Sequence, residues 1–198
     1  ALDDSLVTAN TILGSRYCSN IRLEVTKYQR NLVLIQETLE EWLMCQKQWM
    51  YLESIFSAPD IQRQLPKETK MFMDIDKSWK QIMSDTDEMP NCMRCGTVSG
   101  RKEKFRMYNN GLDKIQKSLE DYLETKRQAF GRFYFISNDE LLAILAQARN
   151  PKAVQPFLRK CFDALVALEF APGKKSTDIL AMISPKGERV GLGRNLKA

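Results

Sequence analysis

Counting forward from Tyr28, a large apolar residue returns every seven positions at Ile35, Trp42, Trp49 and Phe56, with Leu32, Leu39 and Leu52 on the same stripe. A seven-residue period keeps one face of a helix against a partner over many turns. The spacing therefore predicts a single long helix over about residues 19–56, with Tyr28, Ile35, Trp42, Trp49 and Phe56 as its structural seam. At about 1.5 Å per residue that helix would be roughly 55 Å long. A compact chain of this length has a radius of gyration of only about 16 Å. The expectation is an elongated, curved rod rather than a ball.

The pattern continues in the same style. Ser57-Ala58-Pro59-Asp60 carries helix-start chemistry, with Ser57 as cap and Pro59 early in the first turn. A turn or two later Pro66 opens a helix to about residue 84, whose face is Phe72, Ile75, Trp79 and Ile82. The turn-rich stretch Ser84 to Gly100 separates it from a second long helix over 101–129, marked by Phe105, Tyr108, Leu112, Ile115, Leu119 and Tyr122. Gly131 breaks that pattern, leaving Phe133 to Ile136 extended or looped. Ser137 and Glu140 match a capping box at the head of a short helix over 138–148. Phe157, Cys161, Phe162, Leu165 and Leu168 predict a further helix over 155–168. Two strand-like runs then flank Ser184-Pro185-Lys186-Gly187, where Pro second and Gly fourth indicate a type I turn. The fold class expected is all-α, an elongated helical-bundle array with a small C-terminal β-hairpin. Residues 1–170 form the helical bundles and 171–198 a basic hairpin segment.

Composition changes this picture little. At 198 residues, 43% hydrophobic and 28% charged, the chain suits one large or two small ordered domains. It opens on Ala1 and reads as a piece of something longer. No apolar run approaches the ~18 residues that span a bilayer, and no signal peptide opens it, so no membrane partner is expected. Five cysteines in odd number and wide spacing suggest a reducing compartment. Histidine is absent, which removes Ser–His and Cys–His catalysis and most metal sites. Of the net charge of +5, the stretch 171–198 supplies +4, from six basic and two acidic residues. The body has no basic stripe interleaved with aromatics, so nucleic acid is not an expected partner.

Three stretches resemble chemistry and fall short of it. Cys92-Met93-Arg94-Cys95 is half of a zinc knuckle, but zinc takes four ligands and no second such pair exists. Gly96 to Lys102 has the flavour of a phosphate loop. It is one residue short between its glycines, with Glu103 where a magnesium-holding Ser or Thr belongs. Acidic pairs such as Glu40-Glu41 and Asp87-Glu88 are neighbours in sequence and are expected to face solvent. The residues by themselves describe a non-enzymatic helical structural or interaction segment, with no catalytic, metal or cofactor site.

The wording of several motifs goes further. Trp42, Gln46, Trp49, Tyr51-Leu52-Glu53, Ile55-Phe56, Asp60-Ile61, Gln64-Leu65-Pro66 and Glu68 resemble the linker region of dynein heavy chains. So do Tyr122-Leu123-Glu124, Lys126-Arg127, Phe130 with Arg132-Phe133-Tyr134-Phe135, Val154-Gln155-Pro156 and Lys160 to Phe162. Ser137 to Leu142 looks like the axonemal branch. Gly131 departs from the proline usual in the family, which would loosen that turn. The resemblance implies a mechanical arm lying across a ring of six AAA+ modules, bending and straightening as the ring hydrolyses ATP. ATP and magnesium would then be held in the ring of the parent chain and not here. Partners would be that ring, other dynein subunits and, through the parent chain, microtubules. The setting implied is the cytoplasm and cytoskeleton, in the axoneme of a cilium or flagellum. Lys174, Lys175, Lys186 and Arg189 are the candidate contacts to the ring. The rival reading, a spectrin-like scaffold, would call for repeats near a hundred residues, and none is found.

Overall fold

The computed structural model describes residues 1–147, 150–172 and 177–197. Its helices are α1 (Leu2–Gly14), α2 (Arg22–Phe56), α3 (Pro59–Gln64), α4 (Pro66–Glu88), α5 (Cys92–Gly96), α6 (Arg101–Ala129), α7 (Asn138–Leu145) and α8 (Leu158–Cys161). Among the described residues three strands follow, β1 (Ala167–Phe170), β2 (Asp178–Ile183) and β3 (Arg189–Lys197). The class is the expected one, a helical array with a small C-terminal sheet. Two compact units divide it: Ala1–Ser54 with Lys67–Gln116, and Ile55–Pro66 with Lys117–Ala198.

In the first unit α2 and α6 run parallel. Lys102 meets Glu37 and Arg106 meets Glu41, so residue numbers rise together along both helices. The reverse holds for α4. Trp79 packs on Phe105 while Ile75 approaches Gly111, so α4 descends as α6 climbs. The result is an up-down-up three-helix bundle, with Ile35, Leu52, Phe72, Phe105, Leu112 and Ile115 almost fully buried. α1 lies on the early part of α2, where Gln29 Nε2 donates to Asn10 Oδ1 at 2.7 Å. α4 outlasts its expected end at 84 because Gln81 bonds Asp85 and the Thr86 hydroxyl bonds the Ile82 carbonyl, each link spanning one turn. α5 is seated by Gly96. A Cβ there would stand 2.6 Å from Cγ1 of the buried Ile35, so only glycine lets the turn come this close.

In the second unit the cap of α3 is Ala58, one residue later than the expected Ser57, with Pro59 at the first helical position. α7 begins with the full capping box: Ser137 Oγ accepts from the Glu140 amide, and Glu140 accepts from the Ser137 amide. Of the two alternatives, extended or looped, Gly131–Phe135 takes the looped one as a 3₁₀ turn, and Ile136 after it is extended.

The helix expected over 155–168 does not form. Pro151–Phe157 is a 3₁₀ turn, α8 is four residues long, and Phe162 is extended at φ −143°. Leu168 instead joins β1, where the Gln155 side chain takes both its backbone groups, donating to its carbonyl at 2.6 Å and accepting from its amide at 3.0 Å. A short apolar run fits helix and strand alike until a pairing partner is available. Here β2 provides one, so the hairpin becomes an antiparallel sheet in the order β1-β2-β3. Its turn closes at the expected residues, with Gly187 at φ +83° and the Gly187 amide donating to Ser184 O at 3.0 Å.

Candidate functional site

The sequence-predicted residues fall in two places, on the packed faces of α2, α4 and α6 and among the charged groups around the sheet. Among the described residues no group of three Cys, Asp or Glu is placed to hold a metal ion.

The seam is built from the aromatic positions upward. Trp42 packs on Phe105 with ring centroids 5.0 Å apart. Trp49 stacks on Trp79 at 5.5 Å, and Trp79 meets Phe105 edge-on at 6.0 Å. One ring system therefore ties all three helices. The Trp49 indole N–H donates to Asp76 Oδ1 at 2.9 Å, and Asp76 also holds Lys80 at 2.8 Å. Ile35 lies under Gly96 in the same unit. Phe56 is fully buried in the second unit, where Gln62 Nε2 donates to its carbonyl at 2.6 Å. Tyr28 does not join the seam and is 46% exposed. A straight helix drifts about 20° per heptad from a seven-residue repeat. Three heptads back from Trp49, the stripe has rotated towards solvent and α1.

Beside the aromatic seam runs a polar ladder that periodicity does not reveal. Lys102 Nζ sits 3.0 Å from Glu37, and Arg106 Nε 2.9 Å from Glu41. Asn109 Nδ2 donates both to Glu41 O at 3.0 Å and to Glu41 Oε2 at 2.8 Å. Gln48 Nε2 completes the series on Asp113. The sequence pattern puts Glu41 at a solvent-facing surface; the structure turns it onto α6. The Arg106 guanidinium first, and the Asn109 amide after it, hold its carboxyl below the usual carboxylate range against the opposing effect of burial. Cys45, buried between these rungs, has its thiol pushed up to about 12 by desolvation. The signal in the sequence is the matched spacing of four in Glu37/Glu41 and Lys102/Arg106. Such pairs more often face water on one helix, and only packing shows that they face each other.

Of the basic candidates, Lys174 and Lys175 lie outside the described residues. Lys186 is exposed at the tip of the turn between β2 and β3. Arg189 is engaged: its Nε and Nη2 lie 2.6 and 3.2 Å from the two oxygens of Glu169 on β1. That bidentate bond lowers the Glu169 pKa and raises that of Arg189. A charge count along the chain cannot see this pairing.

A family model described as "Dynein heavy chain, N-terminal region 2" matches residues 1–198. The chain is 55% identical to dynein axonemal heavy chain 6 of Homo sapiens, over all of this chain and 5% of that protein. It is 42% identical to dynein axonemal heavy chain 12 of Homo sapiens, over 96% of this chain and 6% of that protein. With the dynein-1-beta heavy chain of the flagellar inner arm I1 complex of Chlamydomonas reinhardtii it shares 41% identity, over 95% of this chain and 4% of that protein. The chain thus spans about a twentieth of the length of these relatives.

Proposed function

Since the chain belongs to the N-terminal region 2 family of dynein heavy chains, we propose that it is a segment of the linker, the arm that carries force in an ATP-driven microtubule motor. The arm has no catalytic site in this segment. ATP and magnesium act in the AAA+ ring of the parent chain, and the arm bends and straightens across that ring as nucleotide turns over. The axonemal names of its relatives support a place in the cytoskeleton of a cilium or flagellum, with other dynein subunits and microtubules as partners of the whole motor.

The observation that carries this reading is the double tie between α2 and α6. A lever has to resist sliding of one helix along another. Displacing α6 by one residue, about 1.5 Å, stretches the Lys102–Glu37, Arg106–Glu41 and Asn109–Glu41 bonds together and lifts Phe105 off Trp42. Packed cores of this kind are bistable rather than continuously deformable, which suits an element that transmits displacement. At the other end of the chain, Lys186 with Lys174 and Lys175 is assigned to acidic ring surface. Arg189 contributes there only as far as Glu169 releases it.

Imaging the intact heavy chain in two nucleotide states tests the assignment. The segment should take a different angle to the ring in each state, with its own helices unchanged. The same position in both states would remove the lever reading.

A further inference from the structure

The five cysteines fall into two classes. Cys18, Cys45 and Cys161 are buried, and burial raises the thiols of Cys45 and Cys161. Since the thiolate is the nucleophile, those two are poorly placed to react. Cys92 is exposed and Cys95 partly so. They lie three residues apart on the single turn of α5, and residues at that spacing share a helix face with Cβ atoms about 5–6 Å apart. A disulfide needs about 3.8 Å between Cβ atoms. Cys92 is the first residue of its turn, where a small backbone adjustment closes the gap. The Cys95 thiol donates to Met89 O at 3.0 Å. It opens into a surface groove of about 500 Å³ lined also by Asp85, Glu88, Arg94, Val98 and Arg101. Arg101 anchors the turn from behind, its Nη1 donating to Cys95 O at 3.1 Å.

We propose that Cys92 and Cys95 form a reversible thiol–disulfide pair, oxidised by exchange with a small disulfide such as oxidised glutathione. Cys92, the more exposed, attacks one glutathione sulfur. The glutathione S–S bond breaks, a Cys92–glutathione mixed disulfide forms, and one glutathione leaves as thiol with the proton from Cys92. Cys95 then attacks the Cys92 sulfur, releasing the second glutathione as thiol with the proton from Cys95. Two protein thiols are oxidised and one glutathione disulfide is reduced. The product is a covalent staple on the turn that seats Gly96 against Ile35, so the oxidised chain has a stiffer α4–α6 connection. This inference does not depend on the lever reading.

The 198-residue chain is incubated with oxidised glutathione, quenched with N-ethylmaleimide and mapped by mass spectrometry, with circular dichroism confirming unchanged helicity. Two rapidly alkylated thiols, on Cys92 and Cys95, should vanish together and return with reduced glutathione. Cys95→Ser should instead trap one glutathione on Cys92, and Cys92→Ser should leave Cys95 far slower to react. A stable mixed disulfide in the unmodified chain would overturn the proposal. So would alkylation of both cysteines after oxidation, or equal reactivity of Cys95 with and without Cys92.

Discussion

Trp49 and Gly96 show at the residue scale how much single side chains decide. Trp49 is half-buried, stacked on Trp79, and bonded through its indole N–H to Asp76. Trp49→Ala is expected to cost about 3 kcal/mol in urea denaturation, at the low end for large-to-small changes because the ring is not fully enclosed. Trp49→Phe keeps a ring and loses the hydrogen bond, so about 1 kcal/mol is expected. Equal losses for the two variants would mean that packing against Trp79 contributes nothing. Gly96→Ala meets a different obstacle. Its new methyl would overlap Ile35, which is 1% exposed and has no room to withdraw. Overpacking of that kind costs about 1–3 kcal/mol, and an unchanged melting temperature would contradict the seating of α5. A methyl added at Gly14 would have no neighbour within 4 Å, so Gly14→Ala serves as the control.

Between elements, the α2–α6 ladder makes stability depend on pH. Glu41 has a lowered pKa in the folded chain, held chiefly by Arg106. A group depressed on folding stabilises the fold fully above its ordinary value, about 4.3. That contribution is lost as pH falls through the lowered folded value. Glu41→Gln should therefore be less stable than the parent chain at pH 7, and the gap in urea midpoint should close below about pH 4. A gap constant from pH 7 to pH 3 would show that Glu41 acts through shape and not through charge. Within the sheet, Arg189 and Glu169 tie β3 to β1 across β2. Reversing Arg189 would set two carboxylates together, so it would report on the sheet and not on docking to a ring.

For the whole molecule, the length of α2 is the governing fact. Thirty-five residues make a helix of about 52 Å. Small-angle scattering on monomeric chain should give a radius of gyration clearly above the ~16 Å of a compact fold of this size; a value near 16 Å would sink the expectation of a rod. Docking belongs to the same scale. Exposed ion pairs are worth at most about 1 kcal/mol each and weaken with salt, so the proposed ring contact would have to be shared among several of them. Reversing Lys174, Lys175 and Lys186 to glutamate in the intact heavy chain should slow ATP-driven gliding and flatten or invert its salt dependence, because salt screens the new repulsion where it had weakened an attraction. Gliding unchanged in speed and salt response would leave the basic segment with solubility as its role.

Helix existence was legible along the chain because apolar periodicity, proline and capping residues act locally. α6 runs over the expected 101–129, and the Ser137 box and the Pro185-Lys186-Gly187 turn form as written. The exposure of Tyr28, the inward turn of Glu41 and the strand at Ala167–Phe170 were not legible, since each depends on what lies opposite. Tyr28 leaves the seam through accumulated helical drift, a property of a three-dimensional partner face. Glu41 is drawn onto α6 by Arg106 and Asn109, 65 and 68 residues away in the chain. Leu168 becomes strand because β1 pairs with β2 on one side and the Gln155 side chain takes both Leu168 backbone groups on the other. Local patterning specifies which segments will be helical, whereas burial and ion pairing are settled between segments, where no window of sequence contains both partners.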